Sequence, residues 1–136
     1  MNPKQLGVGL IVGTIVALVV GYIIFDNLVS DFYAANMGTA TGVMRDSQLI
    51  WAVVVGTAAY TALIIYTLMN RSGKLTIADG LKNGAIVGFL LWGTVDFVFL
   101  GVTNMNSLTI AIVDPLLELI RGGITGAAIA AVAAKL

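Results

Sequence analysis

Four ionisable residues interrupt otherwise apolar sequence in the second half of the chain: Asp96, Asp114, Glu118 and Arg121. Asp114, Glu118 and Arg121 are spaced by four and then three, so on a helix they share one face, and Thr125 continues it. Asp96 lies within Trp92-Gly93-Thr94-Val95-Asp96-Phe97. An acid inside a membrane span costs about 2.5–3.5 kcal/mol on insertion scales and faces an interior or an aqueous cavity. Three carboxylates against one guanidinium leave acid in excess. Such a site suits a proton, a hard cation, or a cationic or hydroxylated solute held by oxygen atoms. Thr94, Thr103, Asn104 and Asn106 stand near in sequence and offer hydroxyl and amide groups. The expected ligand set is therefore Asp96, Asp114, Glu118, Arg121, Thr94 and Asn104. The same residues also allow a structural reading, with Glu118 or Asp114 paired to Arg121 and Asp96 capping or pairing near the interface.

Much other chemistry is excluded. There is no cysteine and no histidine, which removes disulfides, zinc-finger sites, haem held by either residue, and Cys/His nucleophile pairs. No phosphate-cradling loop, HExxH or GxSxG motif occurs, so neither an enzyme nor a cofactor is expected. Seven basic and seven acidic residues give zero net charge, and no basic patch is visible that would hold a nucleic acid.

The elements that must position the polar residues are membrane helices. Of 136 residues 59% are apolar and only 10% charged, and mean hydropathy is +1.00. That is too few charges to cover a water-facing surface. A bilayer core needs about 20 apolar residues in a helix, and four segments qualify, over about 6–25, 49–69, 81–102 and 108–134. The runs are continuous rather than alternating, which favours helices over β-barrel strands. The first run is longer than a signal-peptide core and is expected to be retained. The start of the fourth is ambiguous. Asp114-Pro115 reads either as N-cap and first residue of a helix or as a proline inside a helix that begins near Leu108, which membrane helices tolerate. The second reading is preferred because Leu108 to Val113 is apolar. The fold class is thus all-α, a single four-span bundle over residues 1–136.

With four spans, both termini and the connection between spans two and three share one side. That side holds Lys4, Arg71, Lys74, Lys82 and Lys135, against Arg45 alone in the loops of the other. The bias places both termini in the cytoplasm of a multi-pass inner-membrane protein and the acidic residues in the outer half of the bilayer. Residues 26–48 have the composition of a turn-rich outer loop, and Phe32, Tyr33 and Met37 place it on the membrane surface. Trp51 and Tyr66 bracket span two as interfacial residues.

Small residues recur every four positions: Gly9, Gly13, Ala17 and Gly21; Gly80, Gly84 and Gly88; Gly122, Gly126, Ala130 and Ala134; and, more briefly, Ala52 and Gly56. Such stripes let helix backbones approach, within the bundle or against another subunit. A homo-oligomer or a larger membrane complex is expected. The halves also look alike: Gly9-Leu10-x-x-Gly13-x-Ile15-Val16 matches Gly80-Leu81-x-x-Gly84-x-Ile86-Val87 at an offset of 71. Two tandem two-helix repeats would be related by an axis along the membrane normal.

Finally, Gly84-Ala85-x-x-Gly88, Gly93-Thr94-Val95-Asp96, Thr103-Asn104 and Val113-Asp114 followed by Arg121-Gly122-Gly123 resemble a family of uncharacterised small bacterial four-helix membrane proteins, a domain-of-unknown-function group. Asp26 with Phe32-Tyr33 resembles the family's Asp followed by a Phe-Tyr pair. The likeness covers residues 20–35 and 80–126. It departs where the family's third span carries a Tyr-Asp-Leu-Thr-Asn-like run, here Val95, Asp96, Phe97, Val98 and Phe99. The resemblance implies the fold.

Overall fold

The computed structural model describes residues 1–69 and 73–136. It contains α1 (Pro3–Gly21), a wider π-helical continuation (Tyr22–Leu28), α2 (Ser30–Asn36), α3 (Ile50–Met69), α4 (Ile77–Val102) and α5 (Leu108–Ala133). Four helical stretches, Pro3–Leu28, Ile50–Met69, Ile77–Val102 and Leu108–Ala133, are long and apolar enough to cross a membrane. The chain is an all-helical four-span bundle and reads as a multi-pass membrane protein. Large apolar side chains such as Ile11, Trp51, Leu90 and Ile120 face outward, as a lipid-facing surface does.

Capping residues extend the spans beyond their apolar runs. Asn2 accepts from the Gln5 backbone while the Gln5 side chain accepts from the Asn2 backbone, and Pro3 occupies the first turn. Helix α1 therefore starts at Pro3 rather than at Leu6. Thr76 and Asp79 form the same reciprocal cap on α4, which starts at Ile77 rather than at Leu81. Ser107 caps α5 and Pro115 lies inside it, so the apolar Leu108–Val113 segment is helical, the preferred one of the two sequence readings.

The first long connection differs from its expectation. Residues 26–36 are mostly helical, first as the end of the π stretch and then as α2. Asn27 Nδ2 donates to the Tyr22 carbonyl at 2.9 Å, five residues back, which supports the wider winding. Irregular chain begins only at Met37. It is tied to the second connection by Gly38 N–H to Met105 O at 3.1 Å and Ala40 N–H to Asn104 O at 2.9 Å. The Ser107 hydroxyl also donates to the Asn36 carbonyl. Gly38 is required here, because a Cβ would overlap the Asn104 carbonyl. Arg71, counted among the basic residues of the connection between α3 and α4, lies outside the described residues.

The closest helix pair is α4 and α5. A Cβ on Gly80 or Gly126 would strike the other's carbonyl, and so would one on Gly84 or Gly122; at Gly88 it would strike the Glu118 carbonyl. Helix α1 lies against α5 and, less extensively, α3, while α3 makes few contacts with α4 and α5. The apolar core comprises Ala17, Tyr60, Ile64, Ile65, Leu68 and Ile129. The halves, alike in sequence, are not packed alike: α4 and α5 meet backbone to backbone, whereas α1 and α3 meet through side chains.

Candidate functional site

Two ends of the bundle are distinguished by their chain segments: a loop end, with residues 29–49 and 103–107, and a terminal end, with both termini. Glu118 and Arg121 lie about 15 and 20 Å along α5 from its start at the loop end, which puts Arg121 at mid-span. The Arg121 side chain is held on three sides. Its Nη1 donates to Glu118 Oε1 at 2.8 Å, its Nε donates to the Ala17 carbonyl at 2.9 Å, and its Cζ lies 5.4 Å from the centre of the Tyr60 ring, a cation–π contact. The α1 stripe makes this possible. A Cβ at Gly21 would come within 3.1 Å of Arg121 Nε, so the missing side chain lets the guanidinium lie on helix backbone. Tyr60 is seated in the same way, since a Cβ at Gly88 or Gly122 would stand 2.7 or 2.6 Å from its hydroxyl.

Nearer the loop end a second group forms. Asp96 and Asp114 lie side by side, each about 9 Å in from the end of its helix. Asn106 Nδ2 donates to Asp96 Oδ1 at 2.9 Å. The Tyr33 hydroxyl, from α2, donates to Asp114 Oδ1. Burial, and then the bond to Asp114, hold the Tyr33 phenol well above its usual range, so it stays a neutral donor. Asp96, Asp114, Glu118 and Arg121 are each at most 9% exposed. Asp96 Oδ2, Glu118 Oε2, and the Tyr60 and Thr61 hydroxyls are buried without a hydrogen-bond partner. Thr125 is buried as well, its hydroxyl bonded back to the Arg121 carbonyl at 2.8 Å.

The structure thus brings together Asp96, Asp114, Glu118 and Arg121, but in two tiers. Asp96 is bonded to Asn106 rather than facing the Glu118–Arg121 pair as a partner. Two of the expected ligands lie apart from this cluster. Thr94 is exposed in a groove between α4 and α5, its hydroxyl satisfied by the Leu90 carbonyl at 2.7 Å. Asn104 is exposed and contributes its backbone carbonyl to the tie with Ala40. Thr103 likewise donates to its own helix, at Phe99 O. Asp26 and Asp31 are exposed. Among the described residues, no group of three or more Asp or Glu is placed to hold a metal ion.

Two participants escaped sequence reasoning. Tyr60 carried a signal, since Thr57, Tyr60 and Thr61 form the one polar stripe of α3 and all three are buried; polar residues at helix spacing in a span point inward. Tyr33 stood out only as a surface aromatic and in the family likeness, and nothing in its sequence position tied it to Asp114, over which the helical turn of α2 carries it.

No protein-family model, curated protein or solved structure matches this chain.

Proposed function

We propose that this chain is a non-catalytic inner-membrane protein that binds a proton at the Asp96–Asp114 pair from the outer side of the membrane. The observation that carries the reading is the charge count of the buried cluster: three carboxyls, Asp96, Asp114 and Glu118, against the single Arg121 guanidinium, with two of the carboxyls side by side. Like charges side by side in a low-dielectric site repel strongly. A proton between them turns repulsion into a hydrogen bond and gives Asp96 Oδ2 a partner. Of the loads that an oxygen site suits, the proton fits best. The carboxyls are packed and covered by Tyr33 and Asn106, which leaves little room for a hydrated cation or a solute. The terminal half of the bundle is filled by Ile64, Leu68 and Ile129, so the site is reached from one side and serves binding rather than conduction. The basic residues around the termini make that side the outer one.

The test is infrared titration of the purified protein in lipid. A protonated-carboxyl band that appears on acidification, and is lost in Asp96→Asn and in Asp114→Asn, supports the reading. A band unchanged by both substitutions overturns it.

A second reading is an accessory subunit that docks into a larger membrane complex or a homo-oligomer. It is favoured by α3, where Gly56 is exposed and a Cβ would meet nothing within 4 Å, so that small face is unused within the bundle. An unchanged mass in mild detergent across Gly56→Leu argues against docking there.

A further inference from the structure

We propose that the cleft between α3 and the α4–α5 pair binds a membrane-soluble carbonyl compound: a neutral amphiphile whose head accepts hydrogen bonds at mid-span. The loose packing of α3 leaves a space of about 640 Å³, within the range that holds a small organic ligand. One wall is opened by the small residues Ala52, Gly56 and Ala59, of which Gly56 and Ala59 are exposed on the lipid-facing side. The polar lining comes from Thr57, Tyr60, Trp92 and Arg121. Of the Arg121 nitrogens only Nε and Nη1 are engaged, which leaves Nη2 to donate into the cleft, while the Trp92 Nε1 is buried and without a partner. Indole and guanidinium can only donate, and the Thr57 and Tyr60 hydroxyls can turn to donate, so a head that accepts suits the whole lining.

Its charge and depth follow from the same residues. Glu118 already neutralises Arg121, and Asp96 and Asp114 lie beyond, so an anionic head finds no net positive charge. Arg121 and Tyr60 stand near the middle of their helices. A phospholipid headgroup cannot leave the interface to reach them, whereas a quinone or ketone with a hydrocarbon tail is soluble at that depth.

The cleft contains its own reporter. The chain has two tryptophans, so Trp51→Phe leaves Trp92 as the sole indole. In that background the full chain in lipid nanodiscs is titrated with decyl-benzoquinone. Saturable quenching of Trp92 is expected. Gly56→Phe fills the cleft from an open position and should weaken apparent affinity by about tenfold or more, equivalent to losing about 1.4 kcal/mol. Gly7→Phe, also at a position with nothing within 4 Å, should not. This site does not depend on the proton reading. Quenching that does not saturate, or that is equal in Gly56→Phe, overturns the proposal. Equal competition by decanoate overturns the neutral head. If Gly56→Phe alters the oligomeric mass and leaves quenching untouched, the cleft belongs to a second copy and the proposal fails.

Discussion

The glycine stripes of α1 and α4 are written in the same spacing and do different work. On α4, Gly80, Gly84 and Gly88 touch α5 carbonyls, so the missing Cβ atoms set the distance between two backbones. On α1, Gly9 and Gly13 face the side chains of Ile129, Ile65 and Thr61, and Gly21 faces the Arg121 guanidinium. There the missing Cβ atoms make room for another helix's side chains. A small-residue stripe therefore reports closeness without saying what comes close. The partner's sequence decides: α5 offers Gly122 and Gly126 to α4, and Arg121 and Ile129 to α1.

The largest effect is expected where the α1 stripe receives its charge. Arg121→Ala removes the hydrogen bond to Ala17, the contact with Tyr60 and the partner of a Glu118 that is 2% exposed. Breaking a buried ion pair costs about 3–5 kcal/mol. Denaturant unfolding in detergent should show a loss of that order, with α1 released first. Adding Glu118→Gln should recover part of it, because the unpaired acid is then gone. A variant as stable as the parent would mean that the guanidinium is not an anchor between α1 and α5.

Next comes the α4 stripe. Gly84→Leu must drive α4 and α5 apart along their closest line. Overpacking a filled interface costs about 1–3 kcal/mol, and more where backbone is the obstacle. Leu90→Ala, at a side chain 59% exposed, should stay within about 0.5 kcal/mol. If both extract as the same stable species, the α4–α5 contact is not what holds the pair.

The sequence stated the bundle almost completely, because a run of about 20 apolar residues has one stable form in lipid. The errors at span ends are capping errors: Asn2 with Gln5, and Thr76 with Asp79, extend helices into polar sequence that hydropathy assigns to loops. The site was legible only along one helix. Asp114, Glu118 and Arg121 share a face by their spacing alone, and Asp96 is conspicuous as an acid in a span. What joins them comes from elsewhere in the chain. The Ala17 carbonyl has no side-chain signature, Tyr33 needs the turn of α2, and Asn106 needs the tight second connection. Thr94 and Asn104 lie apart from the acids because being near an acid in sequence is not being near it on a helix. Thr94 is two residues from Asp96, which turns it to another face.

A smaller effect tests the lid on the acidic pair. Tyr33→Phe removes the hydroxyl that donates to Asp114 while keeping the ring, which packs edge-on against Phe25 at 5.7 Å. A hydrogen bond to a charged group contributes about 1.5–3 kcal/mol. Because Tyr33 is only half-buried, the expected loss is near the lower end. The infrared band assigned to the carboxyl pair should shift as Asp114 loses a donor. An unshifted band would place the tyrosine outside the site and leave α2 as a mere strap.

The smallest expected change is the most discriminating, since it uses the sequence repeat against itself. Gly9 and Gly80 occupy the same position in the two halves. At Gly80 a Cβ would overlap the Gly126 carbonyl; at Gly9 its nearest neighbour would be Ile129 Cγ2 at 3.4 Å, an ordinary contact. Alanine also favours a helix interior over glycine by about 0.5–1 kcal/mol. Gly80→Ala should therefore destabilise the protein, whereas Gly9→Ala should be neutral or stabilise it by a few tenths of a kcal/mol to about 1. Unfolding midpoints of the two variants, measured side by side in one detergent, settle the matter. Equal losses would mean that the two stripes meet backbones alike and that the halves are packed as true repeats.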